Sequence, residues 1–254
     1  MAVGKRPWLG PVLLVLVVAA AASMLGLGIW QLQRLVERRA LNAEIRARMA
    51  QPRVALVQQT GQLPEYTPIV ATGVYDFANE IVLRNRAHDE AAGVHVLTPL
   101  RLAGSDTVVL IDRGWIPYTQ ADPAGRAPFA GPTGVVTVTG IARGSQARTF
   151  ALLPADPTAS PAAPRLDAWF WVNIPQIQSQ MLYPLLPFFV EAAPVADQSI
   201  LPLSGYDLDL SDGPHLSYAI QWFAFTAILL AGSVVLWRQS RRRAGMGAAD
   251  PSAP

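Results

Sequence analysis

Two long apolar segments, one near each end, constrain this sequence more than any other feature. Val12 to Ile29 contains no charged residue and is bracketed by Trp8 and Trp30; Tyr218 to Trp237 is its counterpart. About 20 apolar residues rising about 1.5 Å each span the hydrocarbon core of a bilayer. Tryptophans at the ends of such a run suit the interfacial belt. About 180 residues lie between the segments, enough for one domain with its own core. The expected architecture is a membrane protein in which two transmembrane α-helices flank a mainly β (α+β) extracytoplasmic domain. Its parts are an N-terminal tail over 1–10, a first membrane helix over 11–30, the domain over 31–214, a second membrane helix over 215–237 and a basic tail over 238–254. Ala19-Ala-Ala-Ala-Ser23 has the small residues of a signal-peptidase site, but the apolar run continues to Ile29, longer than a signal core. Retention of the first helix is therefore the expectation.

Charge sets the orientation. Arg238, Arg241, Arg242 and Arg243 follow Trp237 with no acid before Asp250, whereas 166–217 hold no Lys or Arg and six acids. The positive-inside rule then puts the C-terminus, and with it the N-terminus carrying Lys5 and Arg6, on the cytoplasmic side of the cell membrane. Arg34, Arg38, Arg39, Arg46 and Arg48 pull the other way. Long domains translocate largely regardless of such charge.

The chain has no cysteine, which excludes structural disulfides, thiolate metal sites and CxxC redox chemistry. Its formal charge is only +2, and its arginines gather at the membrane flanks, so nothing calls for nucleic acid. Residues 31–50 contain no Gly or Pro, so the first helix is expected to continue beyond the membrane.

From Tyr66 onward the pattern turns to strands. Residues 68–75, 80–85, 93–100, 107–112 and 134–141 are short, β-branched runs bounded by Gly, Pro or Asp, and 169–173 and 187–191 are two further strand candidates. Ile174 to Tyr183 reads as one helix with Pro175 in its first turn. Loops are expected over 117–134 and 154–164. The domain thus reads as mainly antiparallel β, a sandwich or small barrel. Arg113-Gly-Trp-Ile-Pro117 is expected to end a strand, Gly easing the bend and Pro closing it. The domain carries no Gly-x-Ser-x-Gly elbow, phosphate loop or HExxH. His88 and His95 lie seven apart, and a shared metal site would need a third ligand.

The mouth of the second segment carries more chemistry. At about 100° per residue, His215, Tyr218, Trp222, Phe225 and Thr226 fall within about a quarter turn, with Gln221 at the edge. Polar groups at a membrane helix mouth usually face protein, ligand or water. A neutral imidazole is a metal ligand and an axial ligand of haem iron, and aromatic walls would cover a porphyrin. Gln221 or Tyr218 is positioned to hydrogen-bond a polar ring substituent. The alternative is an interfacial belt with His215 merely wet. Trp30-Gln31 leaves the first segment on the same side, so the two helices can pack at one depth.

Leu27-Gly-Ile-Trp-Gln-Leu-Gln-Arg34, Arg113-Gly-Trp-Ile-Pro117 and His215-Leu-Ser-Tyr-Ala-Ile-Gln-Trp-Phe-Ala-Phe225 resemble, in that order, the three signatures of the surfeit locus protein 1 family. Arg38 stands where that family often has Lys. The resemblance implies an assembly factor for haem–copper cytochrome c oxidase rather than an enzyme, with haem a as a transient ligand. It makes His215 the axial ligand of the haem iron. The supporting cofactor-binding residues read from their depth are Trp30, Gln31, Tyr218, Gln221 and Trp222. Arg34, Arg113 and Trp115 are assigned structural or partner-docking roles. The implied partners are oxidase subunit I, haem a synthase and the lipid bilayer. Two alternatives stay open: a scaffold that docks subunit I without touching haem, and a membrane-anchored hydrolase or sensor, for which no motif speaks.

Overall fold

The computed structural model describes residues 8–57, 61–158, 165–197, 199–206 and 208–246. Lys5, Arg6, Asp207, Asp250 and much of the expected loop at 154–164 lie outside the described residues, as does the side chain of Arg243. The chain divides into two compact units, one formed by the residues up to Glu44 with those from Leu210 onward, the other by Ile45–Asp209.

The first unit is helical. Helix α1 runs Leu9–Met49, 41 residues without a break. At about 1.5 Å per residue it is about twice as long as a bilayer's hydrocarbon core is thick, so the expected continuation beyond the apolar run is present. Its counterpart, named α4 in chain order, runs His215–Met246. Both are long and apolar enough to cross a membrane. Only 11% and 6% of their apolar windows are buried, unlike the core helix of a soluble protein.

The residues that are buried or half-buried form narrow seams. On α1 they include Val17, Ala21, Met24, Gly28, Gln31, Leu35, Arg38 and Asn42, recurring every four and three residues. On α4 they include His215, Ala219, Trp222, Thr226, Leu229 and Ser233 with the same alternation. A 3.5-residue repeat is the period that keeps one seam facing a partner helix. The two seams meet antiparallel. The ring of Phe223 fills the space where a side chain on Gly28 would stand, 2.5 Å from its would-be Cβ, and His215 meets Gln31. Small residues at these positions are the usual means of close helix packing in an apolar solvent. Thr226 and Ser233 give their hydroxyl hydrogens to the carbonyls four residues back, so neither leaves a polar group unpaired.

The second unit is a mixed sheet. Its strands are β1 (Val54–Ala55), β2 (Pro68–Tyr75), β3 (Ile81–His88), β4 (Ala91–Leu102), β5 (Val108–Pro117), β6 (Val135–Gly144), β7 (Ala168–Trp169) and β8 (Leu185–Ala192). Two short helices join them, α2 (Pro123–Arg126) and α3 (Ile174–Gln178). The order is β1-β2-β6-β8-β5-β4-β3-β7, and β2 also pairs with β4. That last pairing closes β2, β6, β8, β5 and β4 into a small barrel, which removes the edges an open sheet would expose.

Alternation along the strands explains the core. Val109 and Ile111 of β5, and Phe188 and Val190 of β8, point into the barrel with Ile69, Leu100, Val138 and Leu186. Leu110 and Phe189, one residue out of phase, join Ile81, Leu97, Trp169 and Ile177 under α3 on the outside.

Three expectations are refined in detail. The sheet is mainly antiparallel, as expected, but β1–β2, β3–β7 and β5–β8 are parallel. Helix α3 stops at Gln178, whose side chain is drawn off by Tyr183 O and Leu185 N. Residues Arg113–Pro117 end β5 at Pro117, as expected, but Gly114 does more than ease a bend: at φ +114° it carries the strand past a register shift. Leu203 O would lie 2.1 Å from a Cβ at Gly114, and the Trp115–Leu203 bridge sits there instead.

Candidate functional site at the helix mouth

Helix α4 opens with a turn built for a tight entry. Gly213 has φ +65°, Pro214 follows, and the Pro214 carbonyl accepts from Ser217 Oγ and Tyr218 N. His215 is thereby the first helical residue and the outermost member of the α4 seam. Its Nδ1 lies 2.8 Å from Gln31 Oε1. A carboxamide oxygen only accepts, so Nδ1 carries the hydrogen and, in the neutral ring, Nε2 keeps its lone pair.

Gly213 lies beside that Nε2 edge. A Cβ there would stand at ordinary contact distance, 3.5 Å from Cδ2 and 3.7 Å from Nε2, so any side chain at 213 would share this edge. The chemistry offered is that of an oriented imidazole acceptor, half-buried on a helix seam.

The predicted site residues divide into two groups. His215, Gln31 and Trp222 lie half-buried on the seams, with buried Thr226 beyond. Tyr218, Gln221, Phe225 and Trp30 are exposed, on the shoulder beside the seam. Trp222 and Phe225 join the groups through an edge-on ring contact at 6.1 Å. The quarter-turn arc read from the sequence is therefore half seam and half open aromatic wall. Arg34 is exposed and paired with Glu37.

One turn and more beyond Gln31, the non-apolar part of α1 grips the segment that leads into α4. Arg38 Nε donates to Ser211 O at 3.3 Å, and Arg39 donates twice to Asp212 Oδ2, at 2.9 and 2.8 Å. Asn42 Nδ2 donates to Leu210 O at 3.0 Å and Ser211 O at 2.9 Å. Gly213, Asn42 and the Arg39–Asp212 pair were missed in the sequence. The four-three spacing of Gln31, Arg38 and Asn42 with Ala21, Gly28 and Leu35 was the available signal.

Within the domain, Arg113 and Trp115 are enclosed. Arg113 reaches Glu80 Oε2 at 3.2 Å, donates to Phe129 O, and lies 5.4 and 5.3 Å from the rings of Tyr75 and Phe77. Glu80 also pairs with Arg126, which holds Asp167, so the excursion after β5 is clipped to the sheet by buried charge. Burial works against the Arg126 charge, yet Asp167 and Glu80 together push its pKa above the ordinary value. Trp115 donates Nε1–H to Arg86 O and stands over Gly93, where a Cβ would collide with its indole.

His88 is exposed, its ring 5.6 Å from that of Trp115. His95 Nδ1 lies 2.9 Å from Asp112 Oδ2, whose other oxygen accepts Gly114 N–H. Both histidines line one cavity of the domain. Among the described residues, no three or more His, Asp or Glu are grouped to hold a metal ion.

Comparisons with known proteins agree with one another. The sequence model of the SURF1 family matches residues 18–227. A SURF1-like protein of Monosiga brevicollis is 32% identical over 240 residues, covering 89% of this chain and 88% of that protein. A SURF1-like protein of Rickettsia conorii is 25% identical, covering 85% and 87%. The surfeit locus protein 1 of Mus musculus is 24% identical, covering 86% of this chain and 72% of its own length. A match that takes in both helices and the barrel between them leaves one assignment: the chain belongs to the SURF1 family.

Proposed function

We propose that this protein is a membrane-anchored assembly factor for haem–copper cytochrome c oxidase that holds haem a transiently at the helix mouth and passes it to oxidase subunit I. The observation that carries this reading is the 2.8 Å contact between His215 Nδ1 and Gln31 Oε1. It leaves Nε2 as the ligating atom and fixes the plane of the ring, the arrangement in which histidines usually hold iron. Gly213 keeps that edge free of a side chain, and Trp222, Phe225, Tyr218 and Trp30 supply flat apolar surface within reach of a porphyrin. Gln221 and Tyr218 supply hydrogen bonds to a polar ring substituent. His215 would be the one strong protein ligand, so a bound haem would be held loosely enough to leave.

In this reading α1 and α4 cross the cytoplasmic membrane, both termini are cytoplasmic, and the barrel lies outside, as the arginines after Trp237 favour. Haem a synthase is the natural donor of the cargo.

The exposed shoulder of Trp30, Tyr218, Gln221 and Phe225 supports a second reading, in which this face docks helices of subunit I and no haem is held. Oxidase assembly in cells that carry only the His215→Ala form separates the two. A carrier predicts oxidase that is deficient in haem a with normal amounts of this protein. Full haem occupancy of the oxidase would favour the scaffold.

A further inference from the structure

The α1 seam changes character along its length. From Val17 to Gly28 it is apolar; from Gln31 to Asn42 it includes Gln31, Arg38 and Asn42. These three, with Arg39, hold residues 210, 211, 212 and 215 by the contacts given above. The span from Gln31 to Asn42 is about three helical turns. The grip therefore lies beside the histidine, directly before it in sequence.

Asn42 is the least economical member of the seam. It is 1% exposed, its Nδ2 is satisfied twice, and its Oδ1 is buried with no hydrogen-bond partner. An unpaired buried carboxamide oxygen is destabilising compared with an apolar residue of the same size. Single polar residues at seam positions of paired helices fix register, at a cost in stability. Ala21, Gly28 and Ala219 offer no side-chain hydrogen bond and Ser233 gives its own to Leu229 O, so these positions lower in the seam add no directional contact across it. A slip by one turn would move His215 about 5.4 Å along α1, away from Gln31.

We infer that Asn42, together with the Arg39–Asp212 pair, is a register latch: it sets the axial position of α4 on α1 and through it the His215–Gln31 contact. Asn42 and Arg39 are thus positioning residues for the ligand imidazole. They act on the haem site only if the carrier reading holds, but the register they set is independent of it.

The absence of cysteine from the chain allows a direct test. In the full-length protein in membranes, Gly28→Cys with Phe223→Cys places two thiols where the Phe223 ring now meets Gly28. Oxidative cross-linking of this pair reports register without touching the histidine. The latch predicts efficient cross-linking in the otherwise native chain. It predicts at least a fivefold slower rate when Asn42→Leu and Arg39→Ala are added, with helix content unchanged by circular dichroism. The charge swap Arg39→Asp with Asp212→Arg, in a chain keeping Asn42, should restore the rate that Arg39→Ala alone lowers. In the Asn42→Leu, Arg39→Ala form haem should bind about 10–100-fold more weakly, as loss of the Gln31 contact requires, with an altered axial-ligand spectrum. Unchanged cross-linking in that form overturns the latch. A cross-link that responds as predicted in a protein that binds no haem upholds the latch and removes the carrier reading.

Discussion

His215 and Gln31 stand 184 residues apart in the chain and meet at 2.8 Å, imidazole Nδ1 to carboxamide Oε1, where α4 begins and the apolar part of α1 ends. The contact joins the first and third family signatures into one structure, and it decides which nitrogen of the ring is available.

Removing the acceptor should weaken whatever Nε2 binds. Partners of a ligating histidine typically affect metal affinity by about 10–100-fold. Gln31→Leu is therefore expected to weaken haem binding by about that factor, with the protein still folded, and Gln31→Glu to retain most of it. Haem titration of the purified variants, followed optically, checks both.

Gly213 serves twice, through its φ of +65° and through the room it leaves beside Nε2. A Gly213→Ala variant should lose about 1–2 kcal/mol from left-handed strain and bind haem more weakly. Thermal unfolding in detergent and the same titration measure the two effects separately. Normal stability and normal binding together would contradict the assignment.

The domain depends on buried charge at Glu80, Arg113 and Arg126, with the half-buried Asp167 beside them. Glu80 and Arg126 are 6% exposed, and removing one member of a buried ion pair commonly costs about 3–5 kcal/mol. Arg126→Ala should unfold the domain at markedly lower temperature, whereas Arg34→Ala, at an exposed pair, should change stability by less than about 1 kcal/mol. Differential scanning calorimetry of the full chain distinguishes the two.

Acid sensitivity should follow Asp76. Burial raises its pKa, but hydrogen bonds from Asn79 at 2.8 Å and Tyr183 OH at 2.9 Å, with Arg101 nearby, outweigh burial and hold it below its ordinary 3.8. The native pKa lies below the unfolded one, so the stabilisation is complete above the unfolded value and lost as pH falls through the native value. Burial and the same Asp76 contact push the Tyr183 phenol up, so it stays a donor throughout. Melting temperature should fall as pH drops from about 5, and Asp76→Asn should flatten that dependence while lowering stability at neutral pH.

The helix–domain–helix plan was legible because apolar length, β-branched runs and Gly/Pro punctuation each reflect local physics. The candidate site stood out in the sequence because His215 and its aromatic neighbours differ from the surrounding Leu, Val and Ala; that Gln31 meets His215 follows from the structure. Three features were hidden. The seam at Ala21, Gly28, Ala219 and Ser233 is invisible to hydropathy, since small apolar residues there resemble those facing lipid. Closure of the barrel by β2 on β4, and the parallel β5–β8 pair, depend on contacts between distant segments. The bulge within Arg113–Pro117 was hidden because the strand does end at Pro117, and nothing local shows that Gly114 carries it past a register shift on the way.

The central claim is that His215 holds haem a. It is tested most directly by purifying wild type and His215→Ala from cells that make haem a, then recording the optical spectrum and the pyridine haemochrome of each. The account predicts haem a on the wild type and its loss from the variant at equal yield of folded protein. Wild type that carries no haem, or a variant that carries as much, would contradict it.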